Sequence, residues 1–469
     1  MEYILSAIFL LILIGSYFGK LPRLFSLVFV FQLFSSMALL PPDLVGGSSF
    51  TPGSFAAFFF VVKALSSAQI RNESVHCAFN FKQLGFLTLF LFVAVVGAFV
   101  LPRMFEGSVH VYTMRTAHFE FVAPSTSNYT QAAYLILSTL VATSVCTLAQ
   151  KDGFLDIFLR VILAGAYTVI GTGLLDMVAN MAGLSWVLDY FRTANYVFMT
   201  DNMIEGTRRI IGLTPEASAY GAIAAGYCAI MLYVRPAFPP HLMRKATLAG
   251  WGCGTMAILS TSSTAYGMMA LVLGLYALCS IDRITPEGTM INKTLGKKIL
   301  PLLAALVLVG LIMVFDQDIL LRFTKLVDTL IFKKASSSSY EDRSRMTAVG
   351  LQAFFDSYGF GVGAGTARTS NFFVNVMAST GVLGSLLFLL FLGVTFTRRA
   401  LREKPYNYVM LRGSQLALIP IFAGMALSGT TPDFGPVVGV LFGVIAGLAQ
   451  GKPKDAWVSP LARKNDAPP

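Results

Sequence analysis

Arg343, Arg368, Arg209 and Glu216 are the residues whose types and spacing could do chemistry. In Ser339-Tyr340-Glu341-Asp342-Arg343-Ser344-Arg345, Ser339 with an acid three residues on has the shape of a capping box. That predicts a helix with Ser339 as its cap, running to about Phe355. Arg343 and Arg345 lie about 200° apart around such a helix, so they cannot both face one ligand. Glu341 precedes Arg345 by four positions, the favourable order for a helical ion pair. Arg343 has Thr347 on its own face and no acid at that spacing. In the first turn, where free amides and the helix dipole favour an anion, Arg343 is the better candidate for a phosphate or diphosphate. The run Gly359-Phe360-Gly361-Val362-Gly363-Ala364-Gly365 ends the helix. Its alternating glycines suit a tight backbone path, or a binding loop in which Gly363 and Gly365 approach a ligand. Arg368 follows in an otherwise uncharged segment. It either snorkels to lipid phosphate or grips an anion from the side opposite Arg343.

The second constellation runs from Asp201 to Gly221. Thr214 suits an N-cap, Pro215 the first helical position, and Glu216 follows at the second. Glu216 then either complements the helix dipole or acts as general base and sugar-hydroxyl ligand at the mouth of a span. Arg208 and Arg209 add positive charge to the same vestibule. His110 and His118 are second-tier bases, and Trp186, Tyr190, Phe191 and Tyr196 read as an interfacial aromatic belt. No HExxH pattern or Ser-His-Asp order stands out, and no metal ligand set is assigned. The five cysteines are far apart and form no CxxC pair.

These residues must be positioned by elements that live in lipid. The chain has 469 residues, 55% of them hydrophobic and only 13% charged. A soluble domain carries roughly 25% charged residues, so the composition describes a polytopic membrane protein. The net charge of +11 is spread in short clusters between apolar runs, which excludes a nucleic-acid-binding face. Apolar runs of about 20 residues predict about thirteen transmembrane helices. They fall near 3–19, 24–40, 52–68, 84–101, 131–149, 154–180, 215–234, 246–261, 264–281, 298–315, 371–396, 414–430 and 434–450. With the amino terminus outside, loops bearing Lys20, Arg71, Lys82, Lys151, Arg244, Arg398 and Arg412 face inward, the positive-inside pattern. The first apolar run lacks a cleavage site and reads as a span. The result is an all-α, single transmembrane domain over 1–450 with a cytoplasmic tail at 451–469. Three longer outward segments, 102–130, 181–214 and 316–370, hold the remaining cations and enough polar backbone for an aqueous site. The last of them begins with an amphipathic interfacial helix expected at Ile319–Phe332.

The order of motifs resembles the bacterial O-antigen ligase and polysaccharide polymerase superfamily, especially its exopolysaccharide polymerase branch. The similarity rests on RRIIGLTPEAS opening a helix, LSTSSTAYGMMALVLGL, and the late outer loop DRSRMTAVGLQAFFDSYGFGVGAGTARTSN before a span containing STGVLG. It covers about 205–390. The resemblance implies a membrane glycosyltransferase fold of the C type in the bacterial inner membrane. It implies inverting, metal-independent transfer of a glycan from a polyprenyl diphosphate carrier, at the periplasmic face and without a cofactor. The expected partners are the lipid-linked donor, a saccharide acceptor and membrane lipid, with room for a chain-length regulator or export complex. The family's functional arginines fall on Arg209, Arg343 and Arg368, and its acid on Glu216. Where ligase members carry a histidine, this chain has Ser370-Asn371, so the base stays unassigned.

Two other readings compete with a polymerase. A ligase differs only in its acceptor, which the sequence does not show. A flippase or secondary transporter would carry inverted repeats and midplane charges. No internal repeat is present, and Lys63, Asp156, Arg160 and Asp176 mostly lie near the ends of their runs.

Overall fold

The computed structural model describes residues 4–42, 49–114, 118–194, 203–204, 207–281, 338–399 and 405–449. The expected span at 298–315, the interfacial helix Ile319–Phe332 and the tail 451–469 lie outside them. A helix stands at every other expected span, and the chain is an all-α membrane protein. Its helices are α1 (Ile4–Phe18), α2 (Leu21–Phe31), α3 (Pro52–Leu65), α4 (Ala68–Phe79), α5 (Gly85–Met104), α6 (Thr126–Leu148) and α7 (Phe154–Met181). After the short α8 (Trp186–Asp189) come α9 (Ala217–Val234), α10 (Pro240–Leu259), α11 (Ser263–Ile281), α12 (Ser338–Asp356), α13 (Phe372–Thr397), α14 (Pro405–Ser428) and α15 (Gly435–Leu448). Two small antiparallel hairpins interrupt them. One pairs β1 (His110–Tyr112) with β2 (Phe119–Phe121), and the other pairs β3 (Met203–Ile204) with β4 (Thr207–Arg208).

Among the described residues, six helices are long and apolar enough to cross a membrane, or up to seven if the bent pair α3–α4 counts as one span. The departures from the thirteen expected spans have local causes. Within the run 24–40 only the part up to Phe31, the end of the 11-residue α2, is helix. Its second half is irregular chain stitched to neighbours: Ser36 N–H donates to the Leu213 carbonyl (3.1 Å), and Ala194 N–H donates to the Ser36 carbonyl (3.0 Å). That stretch is apolar because protein covers it, the condition under which irregular backbone survives at membrane depth. The run 52–68 breaks at Ser66-Ser67, where α4 leaves α3 at 108°.

α15 has only 14 residues, most of them buried, and packs on α6. A Cβ at Gly439, Gly443 or Gly447 would lie 2.5–2.6 Å from the carbonyl oxygens of Ser138, Ala142 and Cys146 respectively. Glycines at four-residue spacing thus let two helix backbones touch, the small-residue packing that membrane helices use in place of a hydrophobic drive.

The charged loops separate into two ends of this bundle. At one end Lys151 pairs with Glu73 (3.2 Å), Arg398 donates to the Gln83 carbonyl, and Tyr406 donates to Asp156 (3.1 Å). At the other end the β1–β2 hairpin, the segment 209–216, α12 and the glycine run meet.

Candidate functional site

The first half of the site is the turn between β4 and α9. Asp176, 1% exposed in α7, accepts the backbone N–H groups of Ile211 (2.8 Å) and Gly212 (3.1 Å) on Oδ2. Its Oδ1 accepts the Asn180 amide at 2.8 Å. Gly212 has φ +56°, and a Cβ there would meet the Tyr220 ring at 2.8 Å, so only glycine fits this bend. The turn aims Arg209 at the α10–α11 corner, where its Nε and Nη2 donate to the carbonyls of Ser260 (3.4 Å) and Thr261 (3.3 Å). Burial pushes the Arg209 guanidinium below its ordinary range; Glu216 draws it back up, and Arg343 adds to the depression.

Thr214 is not the N-cap that its sequence suggests. Its hydroxyl donates to the carbonyls of Ile211 (2.9 Å) and Glu216 (3.0 Å), and α9 starts two residues later, with extended Glu216 in the cap position. The Glu216 side chain does not cap the helix. It accepts the Ser218 hydroxyl on Oε1, and Arg343 Nη2 lies 3.8 Å from the same oxygen. Arg343 Nη2 also donates to Ser218 Oγ at 3.4 Å. Arg343, which has no acid at helical spacing, thus finds its carboxylate across 127 residues of chain.

α12 already includes Ser338 and Ser339, so Ser339 lies within the helix rather than capping it, and Arg343 stands beyond the first turn. The dipole therefore acts on Arg343 more weakly than its expected position implied. Thr347 donates its hydroxyl to the Arg343 carbonyl (2.8 Å), leaving only acceptor capacity for a ligand.

The second half is the glycine run with Arg368. α13 is broken at Gly381 (φ +66°, ψ −162°). The glycine run fills the gap: Val362 and Gly363 N–H groups donate to the carbonyls of Ala378 (2.7 Å) and Ser379 (3.1 Å), and Val382 N–H donates to Gly359 (2.8 Å). A Cβ at Gly363 would lie 2.9 Å from the Gly97 carbonyl oxygen, and one at Gly365 would lie 2.3 Å from that of Ser127. Both glycines serve the tight backbone path, pressed on α5 and α6. The amide of Asn128 donates to the Ala364 carbonyl and the Thr366 hydroxyl, each at 2.8 Å. That of Asn375 donates to the carbonyls of Ala367 (3.1 Å) and Thr430 (3.0 Å).

Arg368 N–H donates to the Tyr112 carbonyl at 2.7 Å, and its Nε is buried with no hydrogen-bond partner among the described residues. The next residues lean on α12, where a Cβ at Gly350 would meet Thr369 Cγ2 at 2.4 Å and Ser370 lies 4.0 Å from Met346. Arg343, Met346 and Gly350 share one face of α12, so Thr369 and Ser370, which follow Arg368, lie against the face that carries Arg343. Asn371 caps α13, accepting the N–H groups of Phe373 (3.0 Å) and Val374 (3.2 Å).

The structure thus brings Arg209, Glu216 and Arg343 together, and it sets Arg368 on the edge of β1, with the next two residues against α12. Arg208 lies in β4 opposite Met203. His110 stacks on Phe119, and His118 is exposed on the same hairpin. Sequence reasoning missed Asp176, Ser218, Asn128 and Asn375 as parts of the site. Only Asp176 left a signal, an acid far from its run's charged start in a long apolar stretch. Further along α9, an apolar cavity of about 220 Å³ lies against α11, α14 and α15, lined by Ala222, Gly226, Met268, Gly424 and Phe434 among others; none of the site residues lines it. No protein-family model matches the chain, and no curated protein matches it.

Proposed function

We propose that the chain is an inverting glycosyltransferase of the bacterial inner membrane, extending or transferring glycans carried on a polyprenyl diphosphate at the outer face. The observation that carries this reading is the convergence of Arg343 on α12 with Arg209 and Glu216 of the segment 209–216 at one end of a bundle of membrane-length helices. The apolar cavity along α9 has the chemistry to take part of a lipid tail.

In the mechanism, the donor's diphosphate binds Arg343, with Arg368 reaching it from the edge of β1. The acceptor's hydroxyl oxygen attacks the anomeric carbon from the opposite side, and the bond from that carbon to the phosphate oxygen breaks. The bonding electrons leave with the lipid diphosphate, and the hydroxyl proton goes to Glu216. A diphosphate departs readily once its charge is held, so clamping by fixed guanidinium groups supplies much of the barrier reduction. Glu216 and Arg343 are 36% and 29% exposed in their present pairing. An ion pair that open to solvent is weak, so an incoming diphosphate can take Arg343 and release the carboxylate for its role as base.

The test is purified protein in lipid nanodiscs, supplied with polyprenyl-diphosphate-linked saccharides. Longer glycans and released lipid diphosphate are expected. Movement of the donor across a bilayer without bond formation would replace this reading with a transporter. In cells lacking the protein, accumulated single repeat units identify a polymerase, and accumulated long unligated chains identify a ligase.

A further inference from the structure

The β1–β2 hairpin has two unlike faces. Val109, Val111 and Val122 are buried in a small core with Ala353, Val362 and Ala367. Opposite pairs His110–Phe121 and Tyr112–Phe119 put four rings on the other face. His110 lies 5.0 Å from Phe119, stacked, and 3.9 Å from Phe121, while Tyr112 lies 5.7 Å from Phe119. Phe119 and Phe121 remain 55% and 51% exposed. A contiguous aromatic face left open at that cost marks a contact site.

We propose that this face is a stacking platform for the sugar rings of the glycan. Two observations select that occupant. The platform is continuous with the candidate site: Arg368 N–H is bonded to the Tyr112 carbonyl, and Thr113 bridges to Ala367. A saccharide leaving a diphosphate held by Arg368 would therefore run toward the rings. The short ribbon that carries the rings also bears exposed acids, Glu106 on its approach and Glu120 opposite Val111 on the other face. Seating them in hydrocarbon would strip water from two carboxylates, which the bilayer penalises heavily. Pyranose rings present C–H groups on their flat faces and hydroxyls at their edges, so they fit aromatic faces flanked by polar groups. The identity of the ligand rests on the glycan-transfer reading above; the geometry of the face does not.

The test uses the full chain in nanodiscs with Trp186, Trp251 and Trp457 replaced by Phe and a Phe119→Trp reporter. The probe is a set of water-soluble oligosaccharides cut from the host cell's own surface polysaccharide. A saturable emission change is expected on adding them, reduced several-fold by Phe121→Ala and kept by Phe121→Tyr, with no quenching by acyl-brominated lipids. Quenching by those lipids would assign the rings to the membrane interface, and indifference to the sugars would remove the platform. Sugar binding by a protein that extends no glycan keeps the platform and discards the enzyme. Glycan extension by a protein whose reporter ignores sugars does the reverse.

Discussion

Arg343 has two partners at hand, the Glu216 carboxylate and the Ser218 hydroxyl, both facing its Nη2, and two-point hold on a diphosphate would call on the planar fork of its guanidinium. A lysine keeps the charge but offers a single point on a flexible stem. Arg343→Lys is therefore expected to lose roughly 100-fold or more in glycan output, the scale of removing one transition-state donor. Glu216→Gln should lose a comparable factor in kcat while still binding the lipid-linked donor; wild-type turnover in either variant removes the assignment. Asp176→Ala leaves two buried amides of the Arg209 turn unpaired, at about 1–3 kcal/mol each. It should lower the thermal midpoint in detergent, and Asp176→Asn, which keeps an acceptor, should recover most of it. At this scale the sequence named the charged groups but not their partners. The pairing of Arg343 with Glu216 spans separate segments, and no helical spacing encodes it.

Two elements decide where these groups stand. The glycine run does not drape over the surface; it completes the broken α13 by offering its amides to the carbonyls freed at Gly381. Gly381→Ala would place a Cβ 2.3 Å from the Gly359 carbonyl oxygen in a conformation open almost solely to glycine. Loss of folded protein is the expected outcome, read as aggregation on size exclusion. Gly443→Leu should do likewise by prising α15 from α6, while the exposed Gly171, with nothing within 4 Å of its Cβ position, should accept alanine without change. The helices themselves were legible because lipid demands long apolar runs. The break in α13 was not, since STGVLG within an apolar run looks the same whether the helix bends or continues. The early end of α2 was hidden for a related reason: burial in protein and burial in lipid select the same residue types.

For the whole molecule, the bundle sorts its loops into two groups at opposite ends, one built around Lys151, Arg398 and Tyr406 and one around the arginine cluster. If the second end faces outward, Glu120→Cys in a chain stripped of its native cysteines should react with a membrane-impermeant maleimide in intact cells. Lys82→Cys should react only after the membrane is opened; the opposite pattern would put the arginines in the cytosol and end the proposed chemistry. Charge bias is the sequence signal that bears on which end faces inward, because the cost of moving cations across a bilayer leaves its mark on short loops. The convergence of three distant loops at one end lies beyond any local pattern.

The resting contact between Arg343 and Glu216 has a kinetic consequence. In the proposed reaction this weak, solvent-open contact tunes the carboxylate rather than blocking it: until a diphosphate draws Arg343 away, Glu216 is a poorer base toward an acceptor or stray water. Initial-rate measurements should therefore show a preference for donor before acceptor, and the preference should fade when Arg343→Ala removes the guanidinium.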